Sequence, residues 1–259
     1  MPELPEIEAA AAQLREAIVD RPISRVETHH RALARTLPPR DAASLAGHSV
    51  ARVERRGKHQ VLHLDDGRVL VAHFRLNGEW NVGRADEPLP RFTRVTVALA
   101  DGTRVALVDG RALCTFELAD RADDVLPKLG PDPLGAAFTA DALGAALARR
   151  RGPIKVALLD QGVVAGLGNI YAAEALWLAK ISPTARASSL SAPRRAQLVR
   201  AIKDVLHRAP PGRYWLEEGE RKWRVYDREG ERCKRCRTPI KRKVQATRST
   251  FYCPECQAR

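Results

Sequence analysis

Four cysteines close to the C-terminal end restrict the fold of this chain more than any other sequence feature. Cys233 and Cys236 form one CxxC pair, Cys253 and Cys256 form another, and 16 residues separate the pairs. Two such pairs at this spacing supply four thiolates to one tetrahedral Zn²⁺ across a β-hairpin, and four protein ligands leave no open position for catalysis. The sequence therefore predicts one structural zinc ion per chain. Free thiols or a disulfide pair are the alternatives.

The segment between the two cysteine pairs is strongly basic. It contains no acidic residue, and its basic residues are Arg237, Lys241, Arg242, Lys243 and Arg248. The whole 259-residue chain carries a formal net charge of +13. A basic hairpin on a basic globular chain favours phosphate contacts and nucleic acid as the partner. A solvated basic surface is the alternative for the hairpin, and an Arg-rich proteome would produce part of the same charge.

Membrane insertion and secretion are not expected. The chain has no run of about 18 apolar residues, and its N-terminus lacks the basic flank and apolar core of a signal peptide. Cysteines at metal-ligand spacing also fit a reducing compartment better than a disulfide framework does. We therefore expect a cytoplasmic protein without a membrane partner.

Two different hydrophobic periodicities divide the rest of the chain. From about 23 to 118, short alternating segments and turns such as DDG and ADG predict hairpins of an antiparallel sandwich or barrel-like sheet. After LGPDPL at 129–134 the period becomes helical, and residues 209–223 are irregular. The predicted domains are 2–125, 126–223 and 224–259.

A glycine-rich turn joins two of the predicted helices. Gly162, Gly166 and Gly168 precede Asn169, and Lys155 lies shortly before them. Free N–H groups at the start of the following helix bind anions, and the amide of Asn169 would donate to a phosphate. The alternative is that Asn169 only caps the helix.

The first residues, MPELPEIE, fit the start of a helix. Pro5 suits the first helical turn, and Glu6 and Glu8 suit the positive end of the helix dipole. A helix start explains these residues, but it does not explain why Pro2 stands directly after Met1.

In order along the chain, PELPEIE, RRGKHQ at 55–60, LGPDPL, IKVALLDQGVVAGLGNIYAAEAL and REGERCKRC…CPEC resemble the formamidopyrimidine-DNA glycosylase/endonuclease VIII family. The resemblance spans nearly the whole chain. It implies an α+β multidomain fold: an N-terminal antiparallel β-sandwich with flanking helices, a helical domain with a helix–two-turns–helix motif, and a β-hairpin zinc finger. It also implies a monomeric, nucleoid-associated bacterial enzyme of base excision repair. Its partner would be double-stranded DNA with oxidised bases or abasic sites, bound in a cleft between domains.

The resemblance implies that the N-terminus is catalytic. Pro2, freed by removal of Met1, would attack sugar C1′, and the enzyme would cleave the abasic site by β,δ-elimination through a Schiff base. Glu3 matches the acid catalyst and Glu6 a second carboxylate of the site. Lys58 matches a contact of the phosphate next to the lesion. The attack requires a flipped nucleotide because C1′ is inaccessible inside a stacked duplex.

The resemblance also implies which residues contact DNA. Asn169 and Arg248 match phosphate contacts, and Lys155 is added because it precedes the glycine-rich turn. Family members fill the hole left by the flipped base with three side chains, commonly Met, Arg and Phe. Their positions hold Leu76, Arg111 and Leu113. Leu at the Phe position still wedges between bases but loses aromatic stacking.

The sequence gives mixed indications of the lesion range. The segment 209–223 is shorter than the loop that covers a flipped purine in the purine-specific branch. LNGEW resembles the endonuclease VIII branch, whereas PELPE resembles the formamidopyrimidine branch. The balance favours a broad or pyrimidine-tolerant range over 8-oxoguanine as the main substrate.

Two other function classes are considered. A non-catalytic damaged-DNA-binding protein of the same fold would retain Met1 or lack the pocket, and the presence of Pro2, Glu3, Glu6 and Lys58 argues against it. A zinc-ribbon RNA or translation factor would explain the C-terminus and leave these four residues without a role. Cys114 is expected to be a small core residue.

Overall fold

The computed structural model describes residues 1–209 and 223–258. Two compact units divide the chain: the first is Met1–Pro127, and the second begins at Lys128 and contains both the helical region and the cysteine hairpin. The domain limits at 125 and 223 stay predictions. The irregular segment and short loop predicted for 209–223 lie, apart from their two end residues, outside the described part of the chain.

Helices and strands follow the two periodicities of the sequence. The helices are α1 Leu4–Ile18, α2 Pro39–Ala43, α3 Ala122–Val125, α4 Ala140–Leu147, α5 Ile154–Leu158, α6 Asn169–Leu178 and α7 Ala192–His207. The strands are β1 Ile23–Thr28, β2 Val50–Arg56, β3 His59–Leu64, β4 Val69–His73, β5 Glu79–Arg84, β6 Thr93–Leu99, β7 Thr103–Val108, β8 Thr115–Ala119, β9 Lys241–Gln245 and β10 Arg248–Tyr252.

The first unit is a sandwich of two four-stranded antiparallel sheets, as predicted. One sheet has the strand order β1-β6-β7-β5 and the other β2-β3-β4-β8. Apolar side chains from both sheets form one core, and α1 adds Ile7, Leu14 and Ile18 from a single face. These three positions recur at helical spacing, so the helix is fixed by burial of its apolar stripe. The chain start that precedes α1 is thereby held against the sandwich.

The second unit contains the predicted helix–two-turns–helix motif, with α5 and α6 joined by residues 159–168. The LGPDPL segment packs on this motif: the N–H of Gly130 donates to the Gln161 carbonyl at 2.8 Å. A Cβ at position 130 would lie 2.7 Å from the Gly162 carbonyl oxygen, so only glycine fits there. This close approach fixes the turns that lead into α6.

Strands β9 and β10 form the predicted C-terminal hairpin. They pair antiparallel, with Arg248 opposite Gln245, and their turn residues Ala246 and Thr247 both have positive φ, 46° and 63°. Two consecutive positive φ values are typical of a type I′ turn, which matches the twist of a hairpin. Phe251 of the hairpin shares a small core with Trp177 of α6. Among the residues that the structure describes, no helix has the length and apolar character needed to cross a bilayer.

Candidate active site and nucleic-acid contacts

The first turn of α1 places two carboxylates and Pro2 in buried positions. Glu3 is the residue before the helix, and its backbone N–H donates to Glu6 Oε2 at 2.9 Å. This bond satisfies a donor that a helix start otherwise leaves open. Pro2 is buried, and Glu3 and Glu6 are 3% and 5% exposed. The helix-start explanation therefore holds for Glu6, and the same bond fixes the backbone of Glu3.

The amino group at the chain start lies among the charged residues that the sequence predicts for the site. Burial lowers the pKa of the Met1 amine below its usual value. The charges of Glu3 and Glu6 oppose this effect, whereas those of Lys58 and Arg111 add to it. The structure thus brings four predicted site residues close to the terminal amine. The net effect favours the unprotonated, nucleophilic form of an amine in this place.

Lys58 is positioned by a tight turn between β2 and β3. Gly57 has φ of 61°, and the following Lys58 is only 6% exposed. Arg55 of β2 anchors this turn to α1, since its Nε donates to Glu8 Oε2 at 2.7 Å and its Nη1 donates to the Gly57 carbonyl at 3.3 Å. The Arg55–Glu8 pair was not predicted from the sequence, and it links the turn that carries Lys58 to the helix that carries Glu3.

Two histidines next to Lys58 were not predicted from the sequence. His59 of β3 lies opposite His73 of β4, and their ring centroids are 4.5 Å apart. Burial is the main cause and positive neighbours, including Lys58 for His73, the smaller one of a pKa lowered to about 4 for His59 and to about 3 for His73. Both rings are therefore neutral near pH 7. His73 Nδ1 accepts the N–H of Arg75 at 2.9 Å and so fixes the turn before Leu76.

A buried aspartate organises the loop that carries Arg111 and Leu113. The Asp109 carboxylate, 1% exposed, accepts the N–H groups of Arg111 at 2.9 Å, Leu113 at 2.7 Å and Cys114 at 2.8 Å. Ala112 between them has φ of 52°. This arrangement turns the Arg111 and Leu113 side chains outward, and Leu113 is 47% exposed. Asp109 could have been suspected only from its place at the start of the segment DGRALC.

Leu76 is also displayed at the surface of the first unit. It lies in the turn between β4 and β5, is 36% exposed and follows Arg75, whose φ is 54°. Gly78 closes the turn, since a Cβ there would lie 2.8 Å from Cα of Phe74. Exposure of an apolar side chain on a constrained turn fits a wedge between bases.

Cys114 is a core residue, as predicted. It is 3% exposed within the sandwich core, and burial raises the pKa of its thiol to about 12. A thiol that stays protonated is a poor nucleophile.

The prediction that Lys155 contacts phosphate is not supported by its surroundings. Lys155 is 0% exposed, and its Nζ donates to Asn169 Oδ1 at 2.6 Å, the Ser249 carbonyl at 3.0 Å and Thr250 Oγ1 at 2.7 Å. An ammonium group has three donors, and all three are used here. These three bonds are typical of a residue that positions Asn169, and a direct phosphate contact by Lys155 stays a prediction.

Asn169 is oriented by two contacts and does not cap its helix. Gly168 is the residue before α6, and Asn169 is its first helical residue. Its Oδ1 accepts from Lys155, and its Nδ2 donates to the Ser249 carbonyl at 3.1 Å. The second hydrogen of Asn169 Nδ2 has no acceptor among the described residues, so it can donate to an acceptor on a bound molecule. Gln161 fixes the preceding turns by donating to the Leu159 and Leu167 carbonyls and accepting from Gly166.

Arg248 is exposed at the start of β10, beside further arginines of the second unit. It lines a cavity of about 480 Å³ together with Arg149, Arg150 and Arg151. Arg150 is ion-paired with Asp160 at 2.7 Å. The cavity adds a basic surface beside the hairpin tip that the sequence analysis did not single out.

The four predicted zinc ligands come together in the second unit. The sulfurs of Cys233, Cys236, Cys253 and Cys256 lie within 4.8 Å of one another, with Cys233–Cys256 at 3.9 Å and Cys236–Cys253 at 3.4 Å. Zn–S bonds of about 2.3 Å in a tetrahedron separate the sulfurs by about 3.8 Å. The backbone N–H groups of Arg235 and Cys256 point at Cys233 and Cys253, as suits thiolate ligands. The cluster holds one structural zinc ion.

Glu174 of α6 fastens the segment that leads into the zinc module. Its carboxylate is 1% exposed and accepts the N–H groups of Arg224, Val225 and Tyr226, with distances between 2.8 and 3.0 Å. Trp177, one turn later, packs under the guanidinium of Arg235 at 4.0 Å. The hairpin is thus attached to α6, the helix that begins with Asn169.

Three family models match consecutive parts of this chain. Residues 1–116 match the formamidopyrimidine-DNA glycosylase N-terminal domain, and residues 129–212 match the formamidopyrimidine-DNA glycosylase H2TH domain. Residues 230–259 match the zinc finger found in FPG and IleRS.

Curated relatives and solved structures agree over the full length. The formamidopyrimidine-DNA glycosylase of Herpetosiphon aurantiacus is 40% identical over 280 residues, which cover 100% of both chains. That of Cereibacter sphaeroides is 39% identical and covers 99% of this chain and all of its own. MutM in complex with DNA containing carbocyclic 8-oxo-G is 31% identical, with a TM-score of 0.91 over 100% of both chains. Lactococcus lactis Fpg bound non-covalently to DNA with an AP site is also 31% identical, with a TM-score of 0.91 over 99% of this chain and 100% of its own.

Proposed function

Since this chain belongs to the formamidopyrimidine-DNA glycosylase family of DNA-repair enzymes, we propose that it excises damaged bases from duplex DNA and then cleaves the abasic site as a lyase. The observation that carries the proposal is the cluster of Glu3, Glu6, Lys58 and Arg111 whose charges act on the chain start, where partial burial lowers the pKa of the Met1 amine. A depressed amine pKa at a polar site is typical of a nucleophilic amine.

The nucleophile is the secondary amine of Pro2 after removal of Met1. Its nitrogen bonds to C1′ of the flipped nucleotide as the glycosidic bond breaks, and the base leaves with that electron pair. The proton lost by the amine passes to Glu3 and from Glu3 to O4′ as the sugar ring opens. The product is an iminium ion, and it cannot lose its charge by deprotonation at nitrogen because the proline nitrogen carries no further hydrogen.

The iminium then acts as an electron sink for strand cleavage. Loss of a proton from C2′ forms a C2′–C3′ double bond and expels the 3′ phosphate. Loss of a second proton, from C4′, expels the 5′ phosphate, and water then hydrolyses the iminium and frees Pro2. Glu6 keeps Glu3 in place through the hydrogen bond to the Glu3 N–H.

Residues of both units contact DNA in this proposal. Lys58 binds the phosphate next to the lesion, and Asn169 and Arg248 bind other phosphates. The zinc ion holds the hairpin that carries Arg248 and takes no part in the chemistry. The space left by the flipped base is filled by Leu76, Arg111 and Leu113.

We further propose formamidopyrimidine lesions as the preferred substrates. Support comes from relatives that carry this activity in their names and from Lactococcus lactis Fpg solved with DNA containing Fapy-dG. The sequence alone favoured a broad or pyrimidine-tolerant range. The bacterial relatives support action in the cytoplasm, on the chromosome. Excision rates on a duplex panel of formamidopyrimidine, 8-oxoguanine and oxidised pyrimidines test the assignment, and faster excision of an oxidised pyrimidine would reverse it.

Borohydride trapping tests the lyase activity. Protein whose N-terminal mass shows loss of Met1 is incubated with abasic duplex DNA and borohydride, and a covalent adduct is expected. Pro2→Gly should weaken trapping. Glu3→Gln should slow base excision more than cleavage of a ready-made abasic site. Absence of an adduct from Met-free protein would favour the non-catalytic DNA-binding alternative.

A further inference from the structure

A strongly positive cavity lies beside the loop that carries Arg111. Its volume is about 420 Å³, and four arginines line it together with His30: Arg31, Arg35, Arg94 and Arg111. None of the described residues that line it is acidic. Within the described part of the chain, Arg31 and Arg35 have no hydrogen-bonding or ion-pair partner, although each guanidinium offers five donors. This concentration of positive charge favours the binding of an anion.

One wall of the cavity is a short helical segment that follows β1. Residues Leu33–Arg35 form a 3-10 turn whose N–H groups bond back to His30. Leu33 and Leu37 are fully buried in the sandwich core and anchor the segment. Arg31 and Arg35 are exposed and face solvent from this anchored segment. The two guanidiniums are thus carried on a constrained backbone.

The opposite wall is fixed by Asp109. Arg94 Nε donates to the Asp109 carbonyl at 2.7 Å, and the Asp109 carboxylate holds the backbone of Arg111. Arg111 has two relationships to its surroundings. Its positive charge lowers the pKa of the amine at the chain start, and Arg111 also lines the cavity.

We propose that this cavity binds a backbone phosphate of the DNA strand opposite the lesion. Guanidinium groups match phosphate oxygens in a bidentate geometry, and the walls are held in place before DNA arrives. The inference rests on the proposed function. If the damaged sugar lies at the amine and Arg111 fills the emptied base position, the backbone reached beyond Arg111 belongs to the complementary strand. Arg31 and Arg35, which are not catalytic residues, would then contact a phosphate of that strand.

The test compares duplex and single-stranded DNA. Binding of the double variant Arg31→Gln/Arg35→Gln to DNA with a tetrahydrofuran abasic analogue is measured by fluorescence anisotropy across a range of salt concentrations. For duplex DNA we expect about tenfold weaker binding, and a salt dependence of log K reduced by about 0.9 for the lost phosphate. For the same lesion strand alone, we expect affinity within about twofold of the wild-type value.

A matched control removes the same charge elsewhere on the first unit. In Arg25→Gln/Arg84→Gln, both original arginines are exposed and ion-paired, with Glu27 at 2.7 Å and Asp86 at 3.5 Å. This variant should keep wild-type affinity and salt dependence. Wild-type duplex binding by the Arg31/Arg35 variant would overturn the proposal, as would an equal loss on single-stranded DNA. Borohydride trapping by the wild-type protein tests the proposed function separately, so the two failures are distinguishable.

Discussion

The ammonium group of Lys155 donates a 2.6 Å hydrogen bond to Oδ1 of Asn169. The sequence predicts separate phosphate contacts for these two residues. In the structure, Lys155 holds the side chain of Asn169 in place. With its oxygen held by Lys155, the Asn169 amide must present hydrogens and not its oxygen to an incoming phosphate. The Ser249 carbonyl accepts from both side chains and links this pair to the zinc hairpin.

Replacement of Lys155 should therefore weaken DNA binding through Asn169. In Lys155→Met, three acceptors lose a charged donor, and we expect the free energy of unfolding to fall by about 2–3 kcal/mol. In a double-mutant cycle on DNA affinity, Lys155→Met should cost little more once Asn169→Ala is present. Additive losses would show that Lys155 contacts DNA independently of Asn169.

Removal of the Asp109 charge should loosen the loop of Arg111 and Leu113. Asp109→Asn replaces an acceptor oxygen by an NH₂ group facing backbone N–H donors, and we expect a loss of about 1–3 kcal/mol in thermal or denaturant unfolding. Excision from duplex DNA should slow as well, because the residues that replace the flipped base lose their fixed backbone. Asp120→Asn, at an exposed position of the same unit, is the control and should leave both measurements unchanged. Equal behaviour of the two variants would contradict the organising role of Asp109.

The carboxylate of Glu174 should control how firmly the zinc module is held. Glu174→Gln places an NH₂ group against the N–H of Arg224, and zinc release to a chromogenic chelator should become about tenfold faster, in line with a loss of about 1–3 kcal/mol. Glu229→Gln is the matched control, because the Glu229 side chain is 56% exposed. An unchanged release rate in Glu174→Gln would mean that the module is stable without this attachment.

The His59–His73 pair should make stability depend on pH. Both pKa values lie below that of a histidine in the unfolded chain, so between about pH 6.5 and pH 4 the unfolded state binds more protons. Stability is therefore unaffected above this window and falls as the pH drops through it, by roughly 3 kcal/mol for a shift the size of that of His59. His59→Phe should flatten the pH dependence of the unfolding midpoint over this range. A wild-type slope in that variant would rule out His59 as its source.

The sequence predicted the architecture well because its periodicities are clear. Five of the described helices, α1 and α4–α7, and the hairpins β3–β4 and β6–β7 lie where the patterns placed them. Strand β5 was missed because EWNVGR buries only Trp80 and follows a glycine turn. Helices α2 and α3 were missed because elements of four or five residues carry no period.

The residues of the candidate site also fall into two groups, those that a local motif identifies and those that only the fold brings together. The four cysteines could be identified from the sequence because they form a distinctive local motif. Glu3 and Lys58 also lie in such motifs, and their roles stay predictions. Asp109, Glu174 and His73 could not be identified from the sequence, because their roles depend on backbone groups or strands brought near by the fold. The burial of Lys155 could not be predicted either, because a charged residue beside a glycine-rich turn gives no indication of it.

In the proposed mechanism the amine of Pro2 forms the covalent bond to DNA. Met-free protein trapped by borohydride on abasic duplex DNA is digested with trypsin, and the modified peptide is identified by mass spectrometry. We expect the deoxyribose-derived mass on the peptide 2–15, PELPEIEAAAAQLR, at its N-terminal nitrogen. An adduct on Lys58, marked by a missed cleavage after that residue, would contradict it.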